Sequence, residues 1–361
     1  MKIEDSQNDV PDALTRKIED SRRRLRAERP RVYEKLMQYL EAEQDPARRG
    51  MSLIDFAYGF DCNFSCEHCC TDIFKAEFGH RRMSLEQVKR VADEADALGV
   101  FVFSLIGGEP LVWTDLDDLV RTIDPSRFHV SVTTNGWLLT AECARHLASI
   151  GISKVNVSID SGFPAEHDAF RGRNGSHARA IAAVSHSLAA GLNAQISTVV
   201  THQNLHSEGF QRLLDLSKEL DVCLDVQVAT PVGKWLGKLD GLVDAADAQH
   251  LRDLRARYPL LRRDVFSTPG ALGGCPAVTG SLYIIPSGDV LPCLFIHISL
   301  GNVLREPLAE IRERGLRVPE LRDYSSVCLA GEQCAFFSKC MTKTFSAASL
   351  PLNYQDAFDR F

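Results

Sequence analysis

The sequence predicts an α/β fold: a partial (βα)6 TIM-like barrel followed by a small C-terminal α+β domain. Two observations carry this. Between residues 51 and 240, short apolar, β-rich runs alternate with amphipathic helical stretches, the signature of repeated βαβ units and a parallel sheet. After about residue 240 that rhythm stops, and cysteines accumulate instead.

Residues 1–50 read as an N-terminal helical segment. "ALTRKIEDSRRRLRAE" and "VYEKLMQYLEAE" have helical periodicity, interrupted at Pro30, and suit solvated helices covering one end of the barrel. Six strand candidates follow, at 52–60, 100–107, 128–135, 154–160, 194–200 and 223–229. Helical stretches such as "SLEQVKRVADEADALG", "TAECARHLASIG" and "ARAIAAVSHSLAAG" lie between them and end at glycine, the residue suited to a left-handed C-terminal cap. Residues 241–361 form the smaller domain. "SLYIIPSGDVLPC" reads as a β-hairpin turning at Pro286-Ser287-Gly288, followed by a helix at roughly 305–314 and three cysteines in loop-like sequence.

Composition narrows the function. A formal net charge of −7 argues against non-specific nucleic-acid binding. No run of about 18 apolar residues exists to cross a membrane, and the polar "MKIEDSQNDVPD" start is not a secretory signal. A cytoplasmic location is expected. Eleven cysteines in a reducing compartment point to metal binding or catalysis rather than disulfides. Cys143 and Cys223 stand apart in periodic surroundings and read as small core residues.

The first cysteine group, Cys62-x3-Cys66-x2-Cys69, directly follows the first strand, where active sites of parallel barrels lie. Three thiolates from one tight loop can hold three irons of a [4Fe–4S] cube and leave the fourth open. Zinc with Cys70 as fourth ligand is the alternative, but adjacent Cys69 and Cys70 converge poorly on one small ion. Cys70 itself reads as a packed, inert thiol.

This loop resembles that of the radical S-adenosylmethionine (SAM) superfamily. The resemblance implies that the open iron binds the methionine moiety and that reductive cleavage yields a 5′-deoxyadenosyl radical, which abstracts a substrate hydrogen. It extends to Gly107, Gly108 and Glu109 of "GGEP", to His68 before the third cysteine, and to Ser158 with Arg171, the pair matched to the cofactor carboxylate. Asn135 of "TTNG" is expected to face cofactor or substrate. Cys275-x12-Gly288-x4-Cys293 and "LGNV" resemble the opening of the SPASM and twitch extensions, which carry auxiliary clusters. The complete pattern is absent: Cys328-x5-Cys334-x5-Cys340 is followed by Thr344 where another cysteine would stand. The resemblance therefore implies one auxiliary [4Fe–4S] cluster, on Cys275, Cys293 and two of the remaining three cysteines, of which Cys334 and Cys340 better match the C-x5-C part of the extension. Cys328 is left as a spare thiol, the candidate catalytic hydrogen donor. A structural zinc on these residues is the alternative.

The expected activity is oxidation of a small natural-product sugar or cyclitol intermediate. Maturation of a ribosomal peptide, by cross-linking or epimerisation, and small-molecule epimerisation using a cysteine hydrogen donor are the alternatives. A binding protein that has lost catalysis is the non-enzymatic one. Flavodoxin or ferredoxin is the expected electron donor.

Overall fold

The computed structural model describes residues 12–43, 50–266, 273–323 and 325–358. The remaining parts of the N-terminal and C-terminal segments lie outside it. Two helices, α1 (Asp12–Glu28) and α2 (Pro30–Ala42), come first. The alternating region then runs β1 (Leu53–Ala57), α3 (Asp72–Phe78), α4 (Leu85–Ala97), β2 (Val102–Ile106), α5 (Leu116–Ile123), β3 (His129–Thr134) and α6 (Ala141–Ser149). It continues with β4 (Lys154–Ser158), α7 (Pro164–Arg171), α8 (Ser176–Ala189), β5 (Asn193–Val200), α9 (Glu208–Glu219) and β6 (Cys223–Val228). All six predicted strands are present, paired parallel in sequence order.

The alternation runs one unit further than the sequence reading. Helix α10 (Ala245–Arg257) leads to β7 (Leu261–Arg262), which pairs parallel with β6. A two-residue strand is too short to show periodicity. On the other edge, β8 (Ser281–Ile284) pairs parallel with β1 and antiparallel with β9 (Asp289–Leu291), which is the expected hairpin. Short strands β10 (Ile298–Ser299) and β11 (Gly301–Asn302) follow, then α11 (Leu308–Arg317), α12 (Cys334–Lys339), β12 (Leu352–Asn353) and α13 (Tyr354–Ala357). The "loop-like" cysteine stretch thus contains a helix, with Cys334 at its first position.

The helices earn their places by simple means. α4 has a capping box between Ser84 and Gln87 and buries Val88, Val91, Ala92 and Ala95 against the sheet. It stops at Leu98, followed by Gly99 at φ +82°, where a side chain would be strained.

α1 and α2 lie across the N-terminal end of the strands. Arg29 donates to the carbonyls of Pro125, Phe128 and Gly151 at 3.2, 3.3 and 2.9 Å. Lys35 Nζ donates to those of Val100 and Arg127 at 2.7 and 3.0 Å. These carbonyls lead into β2, β3 and β4, so the helical pair caps the closed end and leaves the C-terminal mouth free.

Candidate active site

The cysteine loop begins five residues after β1 and stands at the mouth of the barrel. Its position is set by backbone contacts. Gly108 N donates to Gly59 O at 3.1 Å, and Glu109 N to Asp61 O at 2.8 Å. A Cβ on Gly107 would stand 2.5 Å from Gly59 O, and one on Gly108 2.1 Å from Asp61 O. Both glycines of "GGEP" are therefore needed for chain-on-chain approach, beside any contact they make with a ligand.

Glu109 is buried and accepts from Thr134 Oγ1 at 2.7 Å, Asn135 N at 2.7 Å and Leu111 N at 3.1 Å. Its carboxylate braces the C-terminal end of β2 against that of β3. Asn135 extends the brace: its Nδ2 donates to Asn63 Oδ1 at 2.7 Å, inside the cysteine loop. Gly107, Gly108, Glu109 and Asn135 all line the cavity while doing this structural work.

Arg171, at the end of α7, is the other clamp. Its Nε donates to Asp160 Oδ2 at 2.5 Å, and its Nη1 lies 3.9 Å from the Cys66 sulfur. Asp160 Oδ1 accepts from Val199 N at 3.1 Å. Asp160 is the partner that the Ser158/Arg171 pairing left out, although it stands only two residues after Ser158. Burial pushes the Asp160 carboxyl up; the charge and hydrogen bond of Arg171, together with the neighbouring His68 and His167, outweigh this and hold it below its ordinary value. His68 stacks on Phe170 with ring centroids 4.2 Å apart, and its buried Nδ1 has no hydrogen-bond partner. Burial lowers its pKa to about 3, so the ring is neutral.

These residues open on one cavity of about 420 Å³. It is lined at the mouth by Cys62, Cys66, Cys69 and Cys70, along the walls by Ser158 and Arg171, and on one side by Cys275, Cys293 and Cys328. Deeper in, strand pairing aligns Asp55 with Ser104, Ser104 with Ser131, and Ser131 with Lys154. Asp225 and Gln227 on β6 face the same space. Barrel interiors are usually filled by branched apolar side chains; here charged side chains stand among them. Burial pushes the Asp55 carboxyl up to about 7 and that of Asp225 to about 6, and lowers Lys154 to about 8. Sequence reading missed these three residues, because a charged residue in a strand suggests an outward face.

The thiols fit a metal cluster. Burial pushes Cys62 up to about 11 and raises Cys66. Thiols in such surroundings ionise readily only beside a compensating cation, which bound metal supplies.

The second cysteine group is arranged differently from the expectation. Cys275, Cys293 and Cys328 line the cavity together, and their thiols lie within each other's electrostatic reach. Cys328 N donates to Glu332 Oε2 at 2.8 Å, and Glu332 in turn pairs with buried Arg263 at 2.8 Å. That turn aims Cys328 at Cys275 and Cys293. Cys334 is exposed at the start of α12, and Cys340 is buried after its end; neither lines the cavity. The expected set of Cys275, Cys293, Cys334 and Cys340 is therefore not the group gathered at the cavity wall, and Cys328 is not left apart.

The profile of the Radical SAM superfamily matches residues 58–216, and that of the SPASM iron–sulfur cluster-binding domain matches residues 275–340. The mycofactocin maturase MftC of Mycolicibacterium smegmatis is 31% identical over 82% of this chain and 79% of its own length. The chain belongs to the radical SAM superfamily. As a radical SAM enzyme of the SPASM type, it uses S-adenosylmethionine, a [4Fe–4S] cluster at the S-adenosylmethionine site and auxiliary iron–sulfur chemistry in its C-terminal domain.

Other relatives are the AdoMet-dependent heme synthase of Nitratidesulfovibrio vulgaris, 26% identical over 79% of this chain and 86% of its own, and the PqqA peptide cyclase of Streptomyces rochei, 30% identical over 69% and 72%. Among solved structures, Streptococcus suis SuiB bound to S-adenosylmethionine superposes with a TM-score of 0.60 at 18% identity, over 80% of this chain and 73% of that one. Among the described residues, no helix of this radical SAM protein is long and apolar enough to cross a membrane.

Proposed function

We propose that this radical SAM enzyme matures a peptide, one of whose residues reaches down the barrel past the cysteine loop. The charged groups inside the barrel carry the reading: Lys154 and Asp225 face the cavity beneath the mouth, at a cost in desolvation that apolar side chains there would avoid. A side chain or terminus that both accepts and donates hydrogen bonds would match them. Relatives named as a mycofactocin maturase and a PqqA peptide cyclase favour a peptide over the sugar or cyclitol first expected. A flat tetrapyrrole, the product class named in the heme synthases, fits less well. About 420 Å³ must hold the methionine cofactor as well as the reacting group.

In this reading Cys62, Cys66 and Cys69 hold the mouth cluster, and Cys275, Cys293 and Cys328 contribute to an auxiliary cluster. Bound beside a reduced cluster, S-adenosylmethionine would supply radical chemistry for abstraction of a substrate hydrogen. Arg171 presents a guanidinium, fixed by Asp160, for the cofactor carboxylate. Ser158, at the end of β4, lines the same cavity. His68, held flat on Phe170, forms part of an apolar wall. Glu109 and Asn135 keep the loop in register, and the stacked rings help exclude water from the reacting atoms. Flavodoxin or ferredoxin is proposed as the electron source. With Cys328 among the cluster ligands, the spare-thiol route to epimerisation loses its donor, which favours an oxidative or cross-linking outcome.

The test is anaerobic turnover with reductant and S-adenosylmethionine, offering the short peptides encoded beside the gene, a cyclitol panel and a porphyrin panel. Mass spectrometry should find a modified peptide. Conversion of a cyclitol or porphyrin, with every peptide unchanged, would refute the reading.

A further inference from the structure

Outside the barrel interior, one group of side chains gathers ligand atoms for which the activity has no use. His202 and His206 lie in the short connection between β5 and α9. Asp244 and Asp247 open α10. His202 Nδ1 lies 2.7 Å from Asp247 Oδ2, and His206 Nε2 lies 2.8 Å from Asp247 Oδ1. Ligand atoms of His202, Asp244 and Asp247 all fall within 4.8 Å of one another. The His206 ring is 4.8 Å from that of His250, one turn further along α10.

The start of α10 does not need the histidines. Asp244 Oδ1 accepts from Asp247 N at 2.9 Å and Asp247 Oδ2 from Asp244 N at 3.1 Å, which completes a capping box. Two imidazoles from a different segment are then added to one carboxylate. That carboxylate is almost fully buried, while the histidine side chains remain about half exposed. The result is a nitrogen-and-oxygen donor set open to solvent on one side, with a further group orienting it.

We propose that His202, Asp244 and Asp247 form a site for one divalent transition-metal ion of the zinc class, with His206 holding the second oxygen of Asp247. Three protein ligands and a place for water suit zinc. An imidazole with two carboxylates disfavours calcium and magnesium, which take oxygen, and also copper(I) and iron–sulfur clusters, which take thiolate. His206 supplies the outer hydrogen bond that orients a ligating carboxylate. The ion ties the β5–α9 connection to α10 beside a second cavity of about 360 Å³, lined by Thr201, Gln203, Asn204 and Gly241. Its consequence is a stiffer rim on that side of the mouth.

The test uses the full chain with its clusters loaded anaerobically, so that the cysteines are occupied, and zinc as the probe. After desalting, one zinc per chain should remain, with a zinc K-edge spectrum showing nitrogen and oxygen neighbours and no sulfur. His202→Ala and Asp244→Ala alter exposed side chains and should each weaken zinc binding by about 100-fold. Zinc should raise the thermal midpoint of the native protein but not of the variants. Loss of zinc on desalting, a sulfur shell, or equal retention by the variants would each overturn the site.

Discussion

Arg171 binds Asp160 through Nε at 2.5 Å and holds Nη1 3.9 Å from the sulfur of Cys66. One guanidinium thereby links the cluster loop to the end of β4. Lysine has a single point of charge and cannot span the same geometry. Arg171→Lys is expected to weaken S-adenosylmethionine binding by about tenfold or more, a loss of about 1.4 kcal/mol, while iron content stays unchanged. Equilibrium binding to the cluster-loaded protein checks it; unchanged affinity would remove Arg171 from the cofactor site.

Cys328 and Cys334 make opposite predictions. Cys328→Ala should cost the protein about four irons per chain, the content of one cubane cluster, because its thiol lies with those of Cys275 and Cys293. Cys334→Ala, at an exposed helix start, should retain them. Iron analysis after anaerobic reconstitution decides it, and the reverse result would restore the ligand set suggested by spacing alone.

Asp55 gives the interior a pH signature. Its carboxyl is pushed up from 3.8 to about 7, first by burial and then by the charge of Asp264. Between those values the folded protein keeps a proton that the unfolded chain releases, so stability falls as pH rises through this window and levels off above it. Asp55→Asn removes the effect. The variant should match the native protein near pH 4 and be more stable at pH 8. The full difference corresponds to about 4 kcal/mol as an upper figure, reduced by water in the cavity. Thermal midpoints at the two pH values measure it.

Arg29 tests the closed end. Arg29→Ala leaves three half-buried carbonyls without their donor and should lower stability by about 2–3 kcal/mol. Cofactor cleavage per loaded cluster should not change, since the mouth is at the opposite end. A selective loss of cleavage at unchanged stability would contradict the capping role.

Much of the fold could be read from local pattern. Strands β1 to β6 stand out because each is a β-rich run between amphipathic helices, and Gly99, Gly151 and Gly191 mark helix ends with positive φ. The cysteine loop followed from its place after β1. Long-range geometry was not legible. Strand β7 is two residues long and depends on β6 for its pairing. Cys328 reaches the cavity because Glu332 turns its backbone, which no spacing rule encodes. Lys154 and Asp225 face inward through sheet register, a property of neighbouring strands rather than of either residue. Asp160 lay within the motif, but only folding brings α7, and with it Arg171, back onto β4.

The most direct test of the account is 5′-deoxyadenosine formation by the Cys62→Ala, Cys66→Ala, Cys69→Ala triple variant. Reduced anaerobically with S-adenosylmethionine, it should form none, while iron held by the C-terminal cysteines remains. Continued 5′-deoxyadenosine formation by that variant would contradict the assignment of the radical chemistry to this loop.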